Sequence, residues 1–139
     1  MSRSAHVNDL HAPGSSVLEP ALPGRAVRRL WTGLSGDSLP LALASAMAQF
    51  EGLLVVVAPD TQTAELLQDQ VRFFSGDQGQ PVTTFPDWET LPYDNFSPHP
   101  DIISERLATL YTLPAQQRGM LIVAAPTLMQ RLPSRDFIF

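Results

Sequence analysis

The run LLVVVAPDTQTAELLQDQVRFF, Leu53 to Phe74, decides the fold class. Its first six residues form a continuous leucine and β-branched stretch of strand length, the pattern of a strand buried on both faces in a parallel sheet. Pro59 and Asp60 stop it. Asp60 can cap the helix that follows, where its carboxylate also suits the positive end of the helix dipole. Within that helix Ala64, Leu67, Val71 and Phe74 fall on one stripe at helical spacing. A buried strand running straight into an amphipathic helix is the first half of a βαβ unit.

Working outward, RRLWTG, Arg28 to Gly33, reads as a short strand entering a turn. In GDSLPLALASAMAQF, apolar residues at 39, 43, 46, 47 and 50 define a helical face that Asp37 or Ser38 can cap. On the other side, SGDQGQ is a turn-rich loop and PVTTF, Pro81 to Phe85, is another short strand. A helix resumes near Pro100 or Asp101, with Ile103, Leu107, Leu110 and Pro114 along one face. MLIVAA, Met120 to Ala125, repeats the buried-strand pattern, and PTLMQRL suggests a short helix from Pro126. Strand and helix thus alternate four times, which predicts an α/β fold, a parallel sheet flanked by helices. Residues 1–24, rich in Pro, Gly and Ser without period, read as a flexible arm, and 25–139 as the α/β domain. The apolar, strand-like ending RDFIF points to a piece of something longer.

Composition narrows the function classes. At 139 residues, with 44% hydrophobic and 17% charged residues, the chain can bury one sizeable core. A net charge of −5 argues against holding a nucleic-acid backbone unaided, because that affinity comes from cations neutralising phosphates. The absence of Cys excludes disulfides and thiolate metal sites. No apolar run approaches the roughly 20 residues that span a bilayer, and no signal sequence follows Met1, so the expectation is a soluble cytoplasmic protein. All nine basic residues are Arg, so any chemistry needing a lysine is excluded.

The strand–loop–helix order places GLSGDS, Gly33 to Ser38, where a nucleotide-binding fold keeps its phosphate loop. A working loop needs the G-x-x-x-x-G-K-[ST] spacing. Here Gly33 and Gly36 stand too close, Asp37 and Ser38 lead into Leu39 and Pro40, and the lysine is missing. The expectation is a P-loop-like topology with a degenerate nucleotide site.

The densest stretch of functional groups is FPDWETLPYDNFSPHPDIISERL, Phe85 to Leu107. Asp87, Glu89 and Asp94 are the residue types of an acid–base pair, and His99 with Asp94 and Asp101 those of a metal site. No nucleophile accompanies the first set and no defined ligand spacing the second, so caps and solvated charge are the favoured reading. Trp88, Tyr93 and Phe96 could stack on bases, but with no basic residue beside them they read as anchors for the loop or as a contact with another domain. Glu105, Arg106 and Arg118 read as surface charges or interdomain salt-bridge partners.

With those residues in view, DWETLPYDNFSPHPDIISERL, RGMLIVAAPTLMQRL and the Leu53 to Phe74 run closely resemble the N-terminal region of bacterial transcription-repair coupling factors (Mfd), over roughly Leu30 to Leu132. The resemblance implies a large ATP-dependent DNA translocase that displaces RNA polymerase stalled at a lesion and recruits excision repair. It implies an N-terminal module similar to the helicase UvrB but without its nucleotide site, which agrees with the lysine-free loop. UvrB carries a DNA-clamping aromatic hairpin at the equivalent position. The eight residues from Tyr93 to Pro100 are too few for one. By the same resemblance, UvrA is contacted by a domain inserted just after this region, and ATP, magnesium, double-stranded DNA and RNA polymerase are bound by distant domains. This chain would then be the first segment of a split α/β domain, without cofactor, metal or catalytic residues. Asp87, Trp88, Glu89, Tyr93, Asp94, Phe96, His99, Asp101, Glu105 and Arg106 would form its family signature and a candidate interdomain contact. The alternative is an active nucleotide-binding half of a helicase such as UvrB.

Overall fold

The computed structural model describes residues 16–77, 79–88, 98–134 and 136. Helix α1 (Ser38–Gln49) is followed by strand β1 (Leu53–Ala58) and helix α2 (Thr61–Ser75), then by strand β2 (Val82–Thr84) and helix α3 (Pro100–Thr112). A 3-10 turn at Leu113–Ala115 leads to strand β3 (Gly119–Ala124) and the one-turn helix α4 (Ala125–Leu128). The strands form a parallel sheet in the order β1-β3-β2. The expected α/β class therefore holds, with helices packed against a parallel sheet.

Strand β3 is the middle strand and all six of its residues are buried. Its register sets Val56 beside Ile122 and Ala58 beside Ala124 on one side, and Val82 beside Met120 on the other. Met120, Ile122 and Ala124 share one face of the sheet, because successive side chains alternate. There they join Ala44 and Met47 of α1 and Ala64, Leu67 and Val71 of α2 in a single core. Each large side chain so removed from water contributes about 1.5–3 kcal/mol.

Strand β1 departs from its sequence pattern. LLVVVA reads as buried on both faces, yet Val55 and Val57 are 55% and 52% exposed. The reason is position: β1 pairs only with β3 among the described residues, and α1 and α2 cover just one of its faces. The apolar run is thus an edge strand with one uncovered side.

The expected strand at Arg28 to Gly33 is absent among the described residues. Ala26 bends the chain with φ of 61°, and the Trp31 indole N–H donates to the Ala21 carbonyl at 3.2 Å. The segment folds against its own upstream chain instead of a sheet edge, leaving Arg28, Arg29 and Leu30 exposed. Three strands are described where four were expected. Residues 16–24 are irregular, with Pro20 buried and the Leu18 carbonyl accepting from Gln49 Nε2–H. Of RDFIF, all but Asp136 lies outside the described residues.

Two helical faces are rotated from expectation. In α1, Leu43, Ala46 and Met47 point inward, but Leu39 and Phe50 are each 38% exposed. In α3 the buried residues are Arg106 and Thr109, while Leu107 is exposed. Helix α2 conforms, with Ala64, Leu67 and Val71 buried and Phe74 packed against the core.

The caps divide in the same way. The Asp60 carboxylate accepts from the Thr63 backbone N–H at 2.7 Å, and these hydrogen bonds hold its pKa below the ordinary carboxylate value. A depressed carboxylate pKa adds stability above the unfolded-state value of about 4 and loses it as pH falls through the folded-state value. Asp60→Ala is therefore expected to lower the melting temperature at neutral pH, and to do so progressively less below about pH 4. Thermal unfolding of both proteins across that range is the check. An unchanged difference in acid would show that the charged cap is not the cause.

Candidate functional site

The first candidate, Gly33 to Ser38, is a loop–helix junction with no sheet strand before it among the described residues. Gly33 and Gly36 take positive φ. Asp37 occupies the cap position of α1 but makes no side-chain cap, contrary to the expectation for it. Its Oδ1 instead accepts from Gln70 Nε2–H at 2.9 Å, tying the loop to α2. Ser38 does not cap either: its hydroxyl accepts from the Ser35 N–H and donates to the Ser35 carbonyl, both at 2.7 Å. The Ser38 hydroxyl, the group a phosphate loop would turn toward magnesium, is spent on local structure, and the Asp37 carboxylate would repel a phosphate.

The second candidate is built where β2 leaves the sheet. Helix α3 runs beside this exit and holds it by three contacts. Thr109 Oγ1 donates to the Thr84 carbonyl at 3.2 Å. Arg106 Nη1 donates to the Pro86 carbonyl. The Arg106 guanidinium carbon also lies 4.1 Å from the ring centroids of both Phe85 and Trp88, so the cation is sandwiched between two aromatic faces. Arg106 is 2% exposed, and its burial pushes its pKa down, partly opposed by the charge of Asp87.

This corrects the reading of Arg106 as a surface charge and of Trp88 as lacking a basic neighbour. The neighbour is 18 positions on from Trp88, brought back by the helix. Asp87 Oδ1 accepts from the Trp88 backbone N–H at 2.9 Å and from Gln130 Nε2–H, just past α4. One carboxylate so links the β2 exit to the segment after β3. Trp88 is half-buried.

His99 is the cap of α3. Its Nδ1 accepts from the Asp101 N–H at 3.3 Å when neutral, and the same atom lies 3.3 Å from Asp101 Oδ2, an ion pair when protonated. Both side chains are largely exposed, so the pair contributes little. Glu105 is exposed. Glu89, Tyr93, Asp94 and Phe96 lie outside the described residues, and with them the proposed carboxylate pair and metal trio. Among the described residues no three His, Cys, Asp or Glu side chains gather as a metal site would require.

Thr109 and Gln130 were not legible as members of this cluster. Arg106 had one usable signal, as the lone basic residue on the helix that follows the Phe–Pro–Asp–Trp segment. The cluster ties the β2 exit to α3 and to the segment after β3.

No protein-family model matches the chain. Among curated proteins, the transcription-repair-coupling factor of Escherichia coli (strain K12) is 47% identical over 111 residues, 80% of this chain and 9% of that protein. The factor of Haemophilus influenzae is 46% identical over 101 residues, 70% of this chain and 9% of its own. That of Myxococcus xanthus is 33% identical over 125 residues, 81% of this chain and 10% of its own. The chain therefore spans about a tenth of the length of these relatives. Among the described residues no helix is long and apolar enough to cross a membrane.

Proposed function

We propose, from the premise that this chain is a relative of the transcription-repair-coupling factors, that it is a noncatalytic scaffold and interaction segment at the N-terminal end of such a factor. The observation that carries the reading is the 47% identity across most of the chain. The parent is then a cytoplasmic, ATP-dependent DNA translocase that removes RNA polymerase stalled at lesions and brings in excision repair through UvrA. ATP, magnesium and double-stranded DNA belong to its motor domains elsewhere. Other domains of the same protein are among the partners of this segment.

Two features support a scaffold over an active nucleotide site. The loop at Gly33 to Ser38 has no lysine and uses its Asp37 and Ser38 side chains internally. The uncovered valines of β1, and its edge left unpaired among the described residues, suit the first part of a sheet that further chain completes.

Titration with ATP and magnesium, followed by Trp31 and Trp88 fluorescence and by thermal unfolding, tests the reading. The expected result is no saturable change. Stabilisation saturating at micromolar ATP would replace it with the alternative, a nucleotide-binding helicase half such as that of UvrB. A low-salt mobility assay tests a DNA-binding role, and the net charge of −5 leads us to expect no shift.

A further inference from the structure

Helix α2 carries a second stripe that the fold leaves open. Opposite its buried side, Gln62, Glu65, Leu66, Asp69 and Phe73 fall within an arc of roughly 100° at helical spacing, and all are exposed. Phe73 is 79% exposed and Leu66 57%. Two large apolar side chains seven positions apart on one face are the anchors that helix-to-helix docking uses.

The charge on this stripe has one sign. Glu65 and Asp69 stand at i and i+4, where like charges weaken a helix, and neither pairs with a cation among the described residues. Arg72, close by in sequence, forms no ion pair with either carboxylate among the described residues; its Nη2–H donates to the Val82 carbonyl at 2.9 Å. An isolated chain gains nothing from exposed Phe and Leu beside repelling carboxylates. We propose that this face of α2 docks a basic amphipathic helix of a partner protein, whose Lys or Arg side chains meet Glu65 and Asp69 while its apolar ridge covers Leu66 and Phe73.

Charge complementarity selects that occupant. A second copy would set two further carboxylates against the first two with no cation between them. Nucleic acid and anionic lipid surfaces are repelled for the same reason.

The probe is a synthetic helical peptide of Leu and Lys with one apolar face, titrated into the isotopically labelled 139-residue chain at low salt. Saturable binding is expected, with amide shifts centred on residues 62–73 and affinity falling as salt rises. Phe73→Ser, at an exposed position that leaves folding intact by circular dichroism, should weaken binding about tenfold or more. A Glu65→Lys, Asp69→Lys double variant should also weaken it. Absence of saturable binding, shifts spread over other acidic surface, or unchanged affinity in Phe73→Ser each overturn the proposal. Self-association in sedimentation that disappears in Phe73→Ser would assign the stripe to a second copy instead.

Discussion

Gly119→Ala is expected to destabilise the chain by about 3 kcal/mol, a large share of the 5–15 kcal/mol that holds a typical domain folded. Gly119 opens the central strand β3 with φ of 116°, a backbone state closed to L-residues. A methyl group there would strike the Pro81 carbonyl oxygen and come within 3.0 Å of Pro81 Cγ. The oxygen cannot step aside, since it accepts the Met120 N–H at 2.9 Å and so helps register β2 against β3. Strain and clash act together. Gly33→Ala is the milder comparison, because the Gly33 φ of 73° lies at the left-handed region that L-residues can enter and a Cβ there meets nothing within 4 Å. That variant should lose only about 1 kcal/mol. By thermal unfolding, the expected falls in melting temperature are roughly 10 °C for Gly119→Ala and a few degrees for Gly33→Ala. Equal falls would mean that the Pro81 contact has no part in the effect.

What the sequence made legible follows from which forces are local. The strand and helix of the Leu53 to Phe74 run, the Asp60 cap and the short helix after Pro126 are set by neighbours along the chain, and each forms where expected. Sheet position is not local. LLVVVA and MLIVAA carry the same pattern, yet one is an edge strand with two exposed valines and the other the buried centre. Composition cannot separate them, because the difference lies in which neighbours the topology supplies. The Arg28 to Gly33 strand failed for a related reason: strand propensity is realised only where an edge is available, and Trp31 found a partner upstream instead.

The site was legible in its types and not in its pairings. The sequence reads Trp88 as an anchor and Asp87, with its neighbouring carboxylates, as a cap or solvated charge; in the structure Trp88 stacks on Arg106, and Asp87 caps no helix but accepts from the Trp88 N–H and from Gln130. The residue that organises them, Arg106, was assigned to the surface because arginines usually are. Its burial depends on a sandwich whose two slices come from a segment preceding its helix.

Arg106→Ala should accordingly be the most damaging change in the signature, costing about 3–4 kcal/mol. Two desolvated cation–π contacts at about 1 kcal/mol each and one charged hydrogen bond at about 1.5–3 kcal/mol are lost, against the desolvation of the cation that is recovered. The Pro86 carbonyl is left without its donor and the two rings without their filling. Arg106→Lys keeps the charge but not the plane, and a compact ammonium cannot lie flat between two rings while reaching Pro86. A loss of about 2 kcal/mol is expected. Arg106→Met fills the space without charge, removing the buried-cation penalty along with the hydrogen bond, and should cost less than Ala. The order Ala, Lys, Met in decreasing damage is what a stacked, desolvated guanidinium requires. Denaturant unfolding of the three variants measures it, and Trp88 emission in a Trp31→Phe background reports the local change. If Lys matches the wild type, the charge alone matters and the sandwich does not. If all three are neutral and Trp88 emission is unmoved, the β2 exit is held by Thr109 and Gln130 without help from Arg106.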